Sequence, residues 1–120
     1  MSRVLIVESE PGLGQAWKRH LEAEHVRVSL ARGQQEAVTQ LLLYEFDVIV
    51  LDLFLAEGSA LAVSDFASYR QPGAQVIVVS GGPVFADGSI FRHCSNARAM
   101  MRTDAPVEDL AAMVEHFAVH

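Results

Sequence analysis

Compact positive charge is nearly absent from this chain of 120 residues: it carries eight arginines but a single lysine, Lys18. Nine basic residues against fifteen acidic ones leave a formal net charge of −6. A surface of that sign repels a polyanion, which argues against direct binding of DNA or RNA. Cysteine is as scarce. Cys94 stands alone, so no internal disulfide is available, which fits a reducing compartment. Long apolar runs are missing too. Although 51% of the residues are hydrophobic, charges interrupt every apolar segment well short of the roughly 18 residues that a membrane span needs. The start, Met1 to Val7, lacks the basic, apolar and small-residue zones of a signal peptide. A cytoplasmic protein with no membrane contact is therefore expected. There is no internal repeat, low-complexity tract or linker, and residues 1–120 read as one domain, long enough to bury a core.

What is present alternates. Five short segments rich in Val, Ile and Leu are separated by longer segments of helical period, the pattern of a parallel sheet covered by helices on both faces. The first strand is Val4 to Val7, and after Pro11 the residues Leu13, Ala16, Trp17 and Leu21 fall at helical spacing. Val26, Val28 and Leu30 alternate with Arg27 and Ser29 as a half-exposed strand. Gly33 divides it from a helix with Ala37, Val38, Leu41 and Leu42 on one face. Val48 to Leu51 form an unbroken apolar strand that stops at Asp52, and Ala62, Phe66 and Tyr69 supply the stripe of a third helix, which Pro72 and Gly73 end. Val76 to Val79 are a fourth strand closing at Ser80, ahead of Gly81, Gly82 and Pro83. The stretch from Val84 to Asn96 should hold a fourth helix, short because Gly88 sits inside it. Ala97 to Arg102 read as a fifth strand. Leu110, Met113, Val114 and Phe117 then repeat at i, i+3, i+4 and i+7, with Thr103 or Asp104 as cap and Pro106 in the first turn.

Strands covered on both faces read as continuous apolar runs, whereas edge strands alternate or carry charge. Strands one, three and four are continuous, strand two alternates, and strand five holds Arg98 and Arg102. With right-handed crossovers this favours a doubly wound, flavodoxin-like sheet of order 2-1-3-4-5, whose direction reverses between strands one and three. Ligands in such sheets bind in the crevice at that reversal.

Glu8, Ser9 and Glu10 follow strand one, Asp52 ends strand three and Ser80 ends strand four. The crevice thus gathers carboxylates and a hydroxyl, with no glycine-rich cradle for phosphate. Oxygen ligands of this kind suit Mg²⁺, which keeps several waters and takes one or two carboxylates together with a phosphate. A nucleophilic carboxylate beside such a metal can form an acyl phosphate.

Three segments carry a resemblance to a known family: VLIVESEP from Val4 to Pro11, FDVIVLDLFLAEGSAL from Phe46 to Leu61, and VIVVSGG from Val76 to Gly82. Together, and in this order of elements, they resemble the receiver domains of two-component response regulators over nearly the whole chain. The resemblance implies that Asp52 is a phosphoacceptor and that Glu8 stands at the first acidic position of a Mg²⁺ site. It also implies that the backbone carbonyl of Phe54 is a third ligand and that Ser80 contacts the phosphoryl group. Glu10 is a further candidate ligand, although an acid there also suits a helix N-terminus. The implied partners are a histidine kinase or phosphotransfer protein and a downstream protein. Pairing of two copies near the last helix is a further expectation, and no enzymatic activity is implied.

The departures from the family pattern are specific. Ser9 stands where a second acid is usual, Met100 where strand five carries an aromatic switch, and Ala56 where a proline follows the phosphoacceptor. The family's lysine after strand five is missing. Thr103 occupies its place without a gap, and Arg102 does so with a shift of one residue, bringing charge without the ammonium geometry. Two readings therefore compete: a receiver switched by phosphorylation of Asp52, and a pseudoreceiver, the same fold used as an interaction module independent of phosphate. A third class, a flavodoxin-like nucleotide binder, is opposed by Glu8 and Glu10. Ser80 before two glycines does not make a nucleophile elbow, because the glycine required two residues earlier is Val78. His116 and His120 have the spacing of a metal pair but fit a frayed terminal helix better, and Cys94 reads as a small buried residue.

Overall fold

Val, Ile and Leu fill the strand segments because branched side chains pack well on a pleated surface, and here nearly every one is covered. A computed structural model describes residues 2–81 and 96–118 of the chain. Its elements run β1 (Arg3–Val7), α1 (Pro11–Glu22), β2 (Arg27–Ala31), α2 (Gln34–Leu43), β3 (Val48–Asp52), α3 (Ala60–Arg70), β4 (Gln75–Ser80), β5 (Ala97–Arg102) and α4 (Val107–Ala118). The five strands form one parallel sheet of order β2-β1-β3-β4-β5. This is the doubly wound, flavodoxin-like arrangement expected from the placement of charge on β2 and β5. The fourth helix expected from Val84 onward lies outside the described residues, as do Gly82, Pro83, Gly88, His93, Cys94 and His120. No helix among the described residues is long and apolar enough to cross a membrane.

Alternation along the central strands feeds two cores. Leu5, Val7, Ile49, Leu51, Val76 and Val78 face α2 and α3, where Ala37, Leu41, Ala60, Val63 and Ala67 meet them. Val4, Ile6, Val48, Val50, Ile77 and Val79 face the other way, onto Trp17, Leu21, Leu110, Ala111 and Val114 of α1 and α4. Strand register fixes which residues share a level, pairing Val7 with Leu51 and Asp52 with Val79.

Several helix faces differ from the sequence expectation. On α1, Ala16 is exposed and Gly14 is buried in its stead, because the side chain of Leu30 passes 2.9 Å from where a Cβ on Gly14 would lie. On α2, Leu41 is 1% exposed but Leu42 is 53% exposed. The α3 stripe is Ala60, Val63, Ser64 and Ala67, whereas Ala62 and Phe66 are half-buried and Tyr69 is 85% exposed. Apolar residues surround α3, so spacing alone cannot fix its inward face; the small side chains win because they let the helix approach the sheet. At α4, neither Thr103 nor Asp104 serves as the cap: both lie in the turn after β5, Pro106 directly precedes the helix, and Asp104 pairs instead with Arg102.

Helix ends are tied by side chains drawn from near and far. Glu10 caps α1, its Oε1 accepting from the Gly12 N–H at 3.2 Å, and Ser59 caps α3. The far end of α2 is closed by Gln71, whose Nε2 donates to the carbonyls of Leu41 and Tyr44 while its Oε1 accepts from the Phe46 N–H. These bonds satisfy carbonyls that a helix terminus leaves open.

The inward face of α2 is tested by two neighbouring leucines. Leu41→Ala should cost about 2–5 kcal/mol in urea unfolding, as for a buried large-to-small change. Leu42→Ala should stay within about 0.5 kcal/mol of the parent.

Candidate functional site

The sheet brings three of the singled-out side chains to one edge. With Val7 level with Leu51, the next residues along, Glu8 and Asp52, leave adjacent strands side by side. Ser80 stands one residue past Val79, the register partner of Asp52. All three are buried: Glu8 is 3% exposed, Asp52 7% and Ser80 0%. This edge is where the strand order reverses, so the chain carries its polar residues at the place where the topology opens a crevice.

Two buried carboxyl groups in contact are costly unless a proton or a cation lies between them. Glu8 Oε2 accepts from the Glu10 N–H at 3.1 Å, and Asp52 Oδ1 accepts from the Phe54 N–H at 3.0 Å. Glu8 Oε1 is buried and has no donor. Burial first, then the adjoining Asp52 carboxyl, pushes the Glu8 carboxyl up from 4.5 to about 7, and the Glu10 N–H works against that rise. The orphaned oxygen and the oxygen-only side chains would fit a hard divalent cation such as Mg²⁺, which Glu8 and Asp52 together with the Phe54 carbonyl could hold. Glu10 Oε1 is engaged at the start of α1. No group of three or more acidic, histidine or cysteine side chains that could hold a metal occurs among the described residues.

Ser9 does something the sequence did not suggest. Its hydroxyl donates to the Arg32 carbonyl at 2.9 Å and accepts from the Ala56 N–H at 2.8 Å. It thereby joins the loops that follow β1, β2 and β3. A second set of bonds lies alongside. Glu57 takes the Gln34 N–H on its carboxylate at 2.8 Å, capping α2 from another loop because Gly33 has no side chain to do so. Gln34 Oε1 in turn accepts from the Ser59 N–H at 2.8 Å. The fit is tight: a Cβ on Gly58, whose φ is 81°, would lie 2.3 Å from the Cβ of Gln34.

At the other side of the crevice the structure separates Arg102 from Thr103. Arg102 is exposed and bound to Asp104 through two nitrogens, at 2.9 and 3.2 Å. Thr103 donates its N–H to the Ser80 carbonyl, and its hydroxyl lies against Gly81. Ser80 is level with Arg102 in the strand register, and Thr103 directly follows. Met100 is half-buried against the α2 and α3 core. Lys18 lies about two turns into α1 from the crevice end.

No family model matches the chain, and no curated protein matches it. Solved structures do. A response regulator receiver domain from Methanospirillum hungatei superposes with a TM-score of 0.89 at 22% identity, covering 99% of this chain and 94% of that one. This is the receiver-domain fold. Response regulator TrrA of Thermotoga maritima, solved in complex with Mg²⁺–BeF, has a TM-score of 0.84 at 20% identity over 98% of this chain and 99% of its own. A response regulator from Burkholderia pseudomallei with a phosphorylated aspartic acid, calcium ion and citrate has a TM-score of 0.82 at 22% identity, covering 97% of this chain and 72% of that one. In this receiver fold the crevice residues Glu8, Asp52 and Ser80 lie together as the strand order required. The roles of Ser9, Gln34 and Glu57 escaped the sequence, since a hydroxyl, an amide and a carboxylate joining three loops leave no periodic mark. Gly33 and Gly58, flanking Gln34 and Glu57, were the available signal.

Two measurements follow from this geometry. Because the Glu8 pKa is raised on folding, its contribution to stability is complete below about 4.5 and is lost as pH rises toward about 7. In metal-free buffer the difference between wild type and Glu8→Gln should vary across that window by no more than one proton's worth, about 1.4 kcal/mol per pH unit. A flat difference would show that Glu8 keeps its unfolded pKa. Gly58→Ala should lose roughly 1–3 kcal/mol in chemical denaturation, through the left-handed backbone and the contact with Gln34.

Proposed function

We propose that the chain is a receiver of two-component signalling, in which Asp52 accepts a phosphoryl group from a phosphohistidine of a histidine kinase or phosphotransfer protein. The observation that carries this reading is the buried pair Glu8 and Asp52 with the orphaned Oε1 of Glu8, at the reversal of strand order. A carboxylate oxygen of Asp52 forms a bond to phosphorus as the P–N bond of the donor breaks, and the departing imidazole nitrogen takes up a proton. Glu8 and the Phe54 carbonyl hold the cation side of the crevice. A Mg²⁺ bound there supplies charge compensation for the two carboxylates and for the phosphoryl oxygens. Ser80 and Thr103, adjacent through the bond between their backbones, bring hydroxyl side chains to the β4–β5 side of the crevice. The neighbour solved with Mg²⁺–BeF and the one with a phosphorylated aspartic acid make this chemistry compatible with the fold. The output is a changed protein surface that recruits or releases a downstream protein, and not a chemical product. Pairing of two copies through the region of α4 belongs to the same reading.

A second reading has its own observation. The single lysine is on α1 and Arg102 is tied to Asp104, so no charged side chain from the end of β5 is directed at a phosphoryl group. That favours a pseudoreceiver, an interaction module that works without phosphate.

The two readings part in one experiment. Backbone amide spectra recorded with Mg²⁺ and beryllofluoride should show shifts at Phe54, Ser80 and Met100 in wild type, absent in Asp52→Asn. No response at millimolar Mg²⁺ would leave the pseudoreceiver.

A further inference from the structure

We propose that the Ser9 hydroxyl is a positioning group that couples the Asp52 crevice to the first turn of α2. This coupling deepens the receiver reading and rests on it. A serine hydroxyl has one proton to donate, and Ser9 spends it on the Arg32 carbonyl while accepting the Ala56 N–H. Both partners lie close to functional backbone. Ala56 is two residues past Phe54, whose N–H is bound to Asp52 Oδ1. Arg32 is two residues before Gln34, the first residue of α2.

The path continues without a break. Glu57, directly after Ala56, gives both its carboxylate and its carbonyl to the Gln34 N–H, at 2.8 and 3.2 Å. The Gln34 side chain returns a bond to Ser59. There is little slack in which a displacement could be absorbed: a Cβ on Gly33 would stand 2.6 Å from the Glu57 carboxylate and 3.0 Å from its carbonyl oxygen. A shift of residues 53–57, as Asp52 and the Phe54 carbonyl close on a cation and phosphoryl group, is thus carried to α2 through Ser9 on one side and Glu57 on the other. An acid in place of Ser9 would have no proton for the Arg32 carbonyl and would oppose it with negative charge.

Amide hydrogen exchange and amide shifts test the two halves of the proposal. In the metal-free protein the Ala56 amide should be protected, and Ser9→Ala should speed its exchange about five-fold, the loss of one ordinary hydrogen bond. An Ala56 amide already unprotected in wild type would overturn the proposal without any variant. With Mg²⁺ and beryllofluoride, wild type should show shifts at Phe54 and at Gln34 to Ala37. In Ser9→Ala the Phe54 shift should remain while those of α2 fall to less than half, and Ser9→Thr, which keeps the hydroxyl, should restore them. An α2 response unchanged in Ser9→Ala overturns the coupling alone. Absence of the Phe54 shift in wild type removes the receiver reading and the coupling with it.

Discussion

Two carboxyl groups buried side by side at the open edge of an apolar sheet set the terms for everything around them. The parallel register leaves Glu8 and Asp52 no freedom to separate, because each is the direct continuation of a strand whose preceding residues are fully buried in a core. Neither can move outward without pulling Ile6 or Val50 from the α1 and α4 side. The electrostatic cost of the pair is therefore held in place by hydrophobic packing, and the neighbouring loops are shaped to meet it. The N–H groups of Glu10 and Phe54 are turned onto the carboxylates, one from each loop. What remains uncompensated, Glu8 Oε1, is the point at which a proton or a cation is called for.

The fold was legible in the sequence where burial is two-sided. β1, β3 and β4 are covered on both faces and read as unbroken apolar runs, while β2 and β5 declare themselves edges by alternation and by arginine. From that contrast the strand order follows, and from the order the meeting of Glu8, Asp52 and Ser80. Helix faces were less legible. α3 carries apolar residues around its whole circumference, so period alone could not choose Ala60, Val63 and Ala67 over Ala62, Phe66 and Tyr69. The choice is made by size against the sheet, which a spacing rule does not weigh. The start of α4 was less legible for a related reason: Asp104 has the chemistry of a cap, but a bidentate arginine two residues away is a competing partner that helical period does not register.

The site was legible as a set of residue types and illegible as a set of loops. Three connections converge on the crevice, and what joins them is hydrogen bonding between residues 23 to 47 positions apart. Glu57 looks like an ordinary surface acid, yet it serves as the cap of a helix that begins 23 residues earlier. Gln34 looks like a helix-surface amide, yet it fixes the backbone just before α3. Such roles depend on which loops are neighbours, so they become readable only after the strand order is known.

Ser9 and Ala56 depart from the receiver pattern at places far apart along the chain, and the two departures are physically one change. An acid at position 9 would be an acceptor only, and a proline at position 56 would have no N–H to offer. Here the hydroxyl supplies a donor for Arg32 and an acceptor for Ala56, and the alanine supplies the N–H that makes the acceptor useful. A serine where a second acid is usual lowers the negative charge of the crevice, while the bond it makes steadies the loop that carries Phe54. The site thus exchanges charge for rigidity. Ser9 and Ala56 are in that sense mutually consistent, and on the proposed reading a crevice of this composition should bind a cation more weakly but hold its loops in place before one arrives.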